Sequence, residues 1–241
     1  KDRDIFVNQF VQSKADFSSA LKTKVQLSQI TNYPETENIE IKVNTDRKTT
    51  FKLHVRIPGW CKKPVLKLNG KSLPGITPGK HAIIEREWKE GDKLELNLPM
   101  ETKWIEHENY MQLSIDRLPG GEEMWKGIPD QENAPYALMR GPVIYMLDNI
   151  WLDESMSNYP KDVSTEVKVI VTQEPNVETV KLKDKNILLG PAFSLPAMVN
   201  GSKTDVLMLP FANVGKWYKN PEEKSDKNAA TYSYAIWLNK Y

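Results

Sequence analysis

General acid/base chemistry needs two carboxyl groups placed on opposite sides of one bond, so acidic side chains that cluster along the chain come first. Glu106, Glu108, Glu122 and Glu123, with Asp116 among them, form such a cluster. Their plain reading is a solvated loop and strand edge, because 27% of the chain is charged and charged side chains seldom bury. The three histidines, His54, His81 and His107, stand at no metal-ligand spacing. A zinc site built from them would need two convergent partners that the sequence does not advertise. Cys61 is the only cysteine, which excludes an internal disulfide framework and any multi-cysteine metal site within the chain. As a nucleophile it would need a neighbour that lowers its pKa. A buried or half-buried turn cysteine is the better reading.

Seven tryptophans could offer flat faces for sugar rings. Trp60, Trp88 and Trp104 fall at predicted strand ends or turns, Trp151 and Trp217 follow strands, and Trp237 lies inside the last one. In β-sandwiches most such rings are core or edge plugs with the indole N–H satisfied. Trp125 differs, because Met124-Trp125-Lys126-Gly127 sits in a polar stretch directly after Glu122 and Glu123. Glu122, Glu123, Met124 and Trp125 are therefore the candidate contacts to a sugar or to another domain.

The elements that must position these residues have a period of two almost everywhere. Ile39, Ile41 and Val43 alternate with polar residues, as do Phe51, Leu53, Val55 and Ile57, then Leu94, Leu96 and Leu98, then Met111, Leu113 and Ile115. Successive strand side chains point to opposite faces, so each run puts one face on a core and the other in water. Helical spacing is nowhere sustained over three turns. The 16 prolines and the Asn-Gly, Pro-Gly and Gly-Asp pairs fall between runs, where turns belong. The pattern predicts an all-β chain of two antiparallel, jelly-roll-like β-sandwich domains in tandem, residues 1–104 and 105–241. Strands are expected in the first from about Ile5 to Leu98. In the second they fall near Ala137–Leu147, Glu166–Val171, Val177–Leu182, Ile187–Leu189, Val206–Phe211 and Thr231–Leu238. Arg117–Pro135 has no periodicity and is too long for a hairpin turn; loops of that length tend to be functional. Lys1–Phe10 reads as a connecting strand whose N-terminal partner lies outside the chain.

Thirty-three Lys and Arg against 32 Asp and Glu leave a net charge of +1. A surface built to neutralise phosphates shows a basic surplus, so nucleic acid is not an expected partner. No apolar run approaches the roughly 20 residues of a membrane-spanning helix. The chain opens on Lys1-Asp2-Arg3 without an initiator Met or signal-peptide core, and is expected to be part of a longer polypeptide.

Five motifs occur in order: Asn32-Tyr33-Pro34; Arg56-Ile57-Pro58-Gly59-Trp60; Leu68-Asn69-Gly70 followed by Arg86-Glu87-Trp88-Lys89-Glu90-Gly91-Asp92; Ala137-Leu138-Met139-Arg140-Gly141-Pro142-Val143-Ile144-Tyr145; and Leu209-Pro210-Phe211-Ala212-Asn213 with Ile236-Trp237-Leu238. Together they resemble the C-terminal β region that follows the catalytic domain in the β-L-arabinofuranosidase family, glycoside hydrolase family 127 and its relatives. Each motif also has a local physical reading. Asn69-Gly70 suits a type I′ hairpin, whose two central positions want positive φ. Gly91 suits a left-handed turn position, and Trp88 can cover that corner. Pro142 within a strand-like run suggests an edge or a bulge.

The resemblance implies a retaining glycosidase whose zinc-bound cysteine nucleophile and glutamate acid/base sit in an upstream helical (α/α)6 barrel. None of those catalytic residues transfers to this chain. The implied chain is a non-catalytic buttress, with no cofactor of its own, whose partner is the upstream barrel and whose further partners are glycans; zinc belongs to the barrel. A periplasmic or secreted setting is favoured by the resemblance alone. A carbohydrate-binding module using exposed Trp is the alternative, and a free-standing enzyme using a carboxylate pair is the third.

Overall fold

The computed structural model of the chain describes residues 4–106, 136–148, 157, 160, 163–171, 178–180, 190–213, 234–235 and 238–240. They fall into two units, Lys1–Glu101 and Thr102–Tyr241.

The first unit is made of β1 (Asp4–Val7), β2 (Ser13–Asp16), the single-turn α1 (Ser18–Leu21), β3 (Val25–Thr31), β4 (Asn38–Thr45), β5 (Thr49–Arg56), β6 (Val65–Leu68), β7 (Lys71–Ser72), β8 (His81–Trp88) and β9 (Lys93–Asn97). Two sheets result, a three-stranded one ordered β1-β5-β8 and a six-stranded one ordered β2-β3-β4-β9-β6-β7. The alternation in the sequence explains how they pack. Ile39, Ile41 and Val43 of β4 and Leu94 and Leu96 of β9 bury on one side; Phe51, Leu53 and Val55 of β5 bury on the other, and all join one core. This is a two-layer sandwich.

Asn69 (φ 49°) and Gly70 (φ 80°) form the two-residue loop of the β6–β7 hairpin, as a type I′ turn requires. The β1 strand is an edge of the three-stranded sheet and runs parallel to β5, with Phe6 opposite His54.

The second unit contains β10 (Thr102–Glu106), β11 (Tyr136–Arg140), β12 (Val143–Asp148), the single-turn α2 (Val163–Glu166), β13 (Val167–Val169), β14 (Glu178–Val180), β15 (Ala192–Val199), β16 (Ser202–Pro210), a 3-10 turn at Phe211–Asn213, β17 (Tyr234–Ala235) and β18 (Asn239–Lys240). Its described strands form one sheet ordered β10-β11-β12-β16-β15-β13-β18, with β14 on β15 and β17 on β12. Leu138, Tyr145, Leu147, Phe193, Leu195, Val206 and Met208 share one core. Most pairings in both units are antiparallel; β1–β5 and β13–β18 are parallel. The fold is all-β and sandwich-like.

Three sequence expectations change here. Ala137–Leu147 is a hairpin rather than one strand: Arg140 pairs with Val143, and Gly141 (φ 55°) with the exposed Pro142 makes the turn. Pro142 thus sits in the turn between β11 and β12, where no ladder bond calls for the N–H it lacks. Glu166–Val171 begins as α2 and becomes strand only over Val167–Val169. The β15 strand, Ala192–Val199, has no counterpart among the expected strands, and it carries Pro196 in its interior. Pro196 is accommodated because its carbonyl accepts from Ile170 N (3.4 Å), so its nitrogen faces that same side. There it lies between the registers of β13 (Ala197–Val199) and β14 (Ala192–Ser194). No ladder bond is lost. The Ile187–Leu189 strand lies outside the described residues.

Candidate functional site

The four favoured contact residues, Glu122, Glu123, Met124 and Trp125, lie outside the described residues, as do Glu108, Asp116, His107 and the rest of Arg117–Pro135. The other chemically interesting side chains can be placed.

Cys61 is fully buried. Its Sγ lies 3.8 Å from the Pro99 carbonyl, and burial pushes the thiol pKa up. A protonated, enclosed thiol is neither a nucleophile nor a metal ligand. Among the described residues no three of His, Cys, Asp and Glu come together in a way that could hold a metal.

The turn motifs are structural. Trp88 is fully buried, stacks on Phe51 at 5.3 Å and donates its Nε1 to the Phe51 carbonyl at 3.0 Å. Trp60 is half-buried and packs against the same core as Tyr33, whose pKa is raised chiefly by burial. Two motifs distant in sequence, Asn-Tyr-Pro and Arg-Ile-Pro-Gly-Trp, therefore meet in one corner. Trp104 is half-buried on β10, paired with Leu138. The described tryptophans are thus packing residues. Trp125, Trp151, Trp217 and Trp237 lie outside the described residues.

What the sequence reading missed is on the outer face of the three-stranded sheet. Parallel pairing of β1 with β5 sets Phe6 beside His54, and antiparallel pairing of β5 with β8 sets His54 beside Ile83. Phe6 is 54% exposed and Ile83 61% exposed. The Phe6 ring stacks on His54 at 4.3 Å and meets His81 edge-on at 5.9 Å. His81 Nε2 is 2.8 Å from Asn8 Oδ1, and His54 Nε2 is 3.6 Å from Asp4 Oδ2. Lys52 and Glu85 form an ion pair of 3.3 Å at its edge. Around the corner lies a groove of about 450 Å³ lined by Phe6, Val11, Ser13, Phe17 and Leu27 among others. This arrangement has the character of a contact surface, an apolar centre with a polar rim.

The outer face of the six-stranded sheet is different. Its shallow groove, about 290 Å³, is lined by Glu40, Lys67, Glu95 and Asn97 with Ile30 and Val65. Ion pairs Glu40–Lys42 (3.0 Å), Glu40–Lys93 (3.5 Å) and Lys93–Glu95 (3.1 Å) cover it. The Lys42 hydrogen bond holds the Glu40 pKa below its ordinary value. Carboxylates already spent on lysines, and open to water, are poorly placed as an acid/base pair.

These features define an all-β, sandwich-type chain whose described chemistry is structural. Residues 4–100 match the family model described as Beta-L-arabinofuranosidase, GH127 middle domain. The matched model describes a middle domain, not the C-terminal region expected from the sequence. Three solved structures share the fold. One is a GH127 β-L-arabinofuranosidase from Geobacillus stearothermophilus T6, with 20% identity and a TM-score of 0.69 over 100% of this chain and 34% of that one. A GH127 β-arabinofuranosidase has 18% identity and a TM-score of 0.67 over 100% of this chain and 35% of that one. A third, described as a glycoside hydrolase, has 18% identity and a TM-score of 0.64 over 98% of this chain and 35% of that one. The chain spans about a third of the length of these structures. No match was found among curated proteins. Among the described residues, no helix is long and apolar enough to cross a membrane.

Proposed function

We propose that this chain is a non-catalytic β-sandwich part of a β-L-arabinofuranosidase-like, retaining glycoside hydrolase that acts on arabinose-containing plant-type glycans. Its role is to support the upstream (α/α)6 barrel, which carries the zinc and the catalytic groups. The observation that carries this reading is the match of residues 4–100 to a GH127 middle domain; the sealed thiol of Cys61 accords with it. Glu122, Glu123, Met124 and Trp125 are the proposed contacts to the barrel or to sugar at its rim. An apolar pair in an acidic stretch is costly to leave in water, at about 25 cal/mol per Å².

The test compares the intact gene product with a version from which residues 4–241 are deleted. A supporting role predicts that deletion lowers the melting temperature of the remainder and with it the recoverable activity on aryl β-L-arabinofuranosides. Unchanged stability and turnover would contradict it. A glycan-binding module would instead lose affinity for polymeric arabinan and keep turnover of the small substrate.

A further inference from the structure

We infer that the outer face of the three-stranded sheet, centred on Phe6, His54 and Ile83, is the surface on which the domain preceding this one docks. The inference rests on the proposed function, which supplies such a domain, and adds the face that receives it.

The two exposed sheet faces of the first unit are built for different surroundings. On the six-stranded sheet, ion pairs run through the middle of the face, Glu40 and Glu95 held by Lys42 and Lys93, and the apolar residues beside them, Ile30 and Val65, are less exposed than Phe6 and Ile83. That is a surface adapted to water. On the three-stranded sheet, the central cross-strand row is Phe6–His54–Ile83, with more than half of Phe6 and of Ile83 exposed. Its ion pairs, Lys52–Glu85 and Lys48–Glu87, lie to one side of that row, and Asp4 approaches His54 within it. An apolar centre inside a polar rim is how protein contact surfaces are organised. Phe6 is also held in place before any partner arrives, by stacking on His54 and by the edge of His81. An ordered aromatic loses little conformational freedom on docking.

The occupant follows from chain length and from the position of β1. The solved structures of the same fold are about three times as long as this chain, and the matched family segment is a middle domain that begins at residue 4. A domain that precedes a middle domain joins it here through β1, the strand that carries Phe6. Tethered at that point, it is at high effective concentration beside this face.

The experiment uses two introduced cysteines, each read at its own peptide, with Cys61 sealed in the core. Ile83→Cys reports on the three-stranded face and Lys42→Cys on the six-stranded face. Each is placed both in this chain and in the intact gene product, and maleimide labelling of the two peptides is followed by mass spectrometry. Ile83→Cys is expected to label at least tenfold more slowly in the intact protein than in the chain alone, with Lys42→Cys unchanged. Protection of Lys42→Cys but not Ile83→Cys would overturn the choice of face and leave the supporting role standing. Equal rates at both positions would overturn the docking and count against the supporting role as well. Thermal melts of each variant chain against the parent chain verify that labelling reads a folded sandwich.

Discussion

Asn69 donates its side-chain amide to Asp92 Oδ1 at 2.8 Å, joining the loop of one hairpin to the turn of another. The same Asn69 accepts from Lys93 N at 2.9 Å, while Asp92 Oδ2 accepts from Lys89 N at 3.0 Å and lies 3.3 Å from Arg86 Nη2. The Arg86 guanidinium also lies 5.4 Å from the Trp88 ring centroid. Leu-Asn-Gly and Arg-Glu-Trp-Lys-Glu-Gly-Asp are therefore one structural unit, and its centre is a carboxylate that is only 1% exposed.

Asp92 should make folding acid-sensitive. Burial alone would raise its pKa, but the bonds from Asn69 and Lys89 and the charge of Arg86 outweigh that and leave it below the ordinary 3.8. A lowered folded-state pKa means that the stabilisation is fully present above the unfolded value and is lost as pH falls through the folded one. Asp92→Asn is expected to flatten the acid limb of stability below about pH 4 and to cost about 1–3 kcal/mol at neutral pH. Denaturant unfolding as a function of pH reads both. Parallel stability curves for the two proteins across that limb would show that Asp92 does not drive it.

Trp88→Ala removes a fully buried indole, its stacking on Phe51 and its bond to a backbone carbonyl. The expected loss is about 3–5 kcal/mol. A change below about 1 kcal/mol in urea unfolding would return the ring to the candidates for ligand contact.

Two motif glycines should behave in opposite ways. Gly91 sits at φ +79°, with open space where a Cβ would project, so Gly91→Ala suffers only from backbone strain, about 1–2 kcal/mol. Gly59 has no such φ, and a Cβ there would meet Gly79 Cα at an ordinary 3.8 Å. Gly59→Ala is expected to be neutral or to gain about 0.4–1 kcal/mol through the unfolded state. Equal destabilisation by both substitutions, compared by thermal unfolding, would contradict this.

Cys61 should react only when the sandwich opens. Iodoacetamide labelling of the native chain is expected to be slower than that of a free thiol by orders of magnitude and to rise with urea in step with unfolding. Labelling at the free-thiol rate without urea would mean that the thiol is accessible.

The alternation of Ile39–Val43, Phe51–Ile57 and Leu94–Leu98 shows the first sandwich directly, because one wet face and one dry face leave a period of two. Elements that break this rule are hidden. The β15 strand carries Pro196, tolerated only because two short partner strands leave a gap beside it, and that gap is a property of pairing. The contact face was hidden for a related reason. Phe6, His54 and Ile83 each look unremarkable along the chain, and they become neighbours only through the parallel register of β1 on β5 and the antiparallel register of β8. Trp60 and Trp88, by contrast, were readable as corner plugs, since a Trp beside Pro-Gly or Gly-Asp marks a turn that something large must cover. The carboxylate centre at Asp92 was not, because nothing local distinguishes it from the many other acidic residues.

The most direct measurement is hydrolysis of an aryl β-L-arabinofuranoside by this purified chain and, in parallel, by the intact gene product that contains it, with bound zinc determined in both. The chain alone is expected to show no turnover and no stoichiometric zinc, and the intact protein to show both. Turnover by the chain alone that disappears in Cys61→Ser, or an intact protein without glycosidase activity, would contradict the assignment of this sandwich to a supporting role.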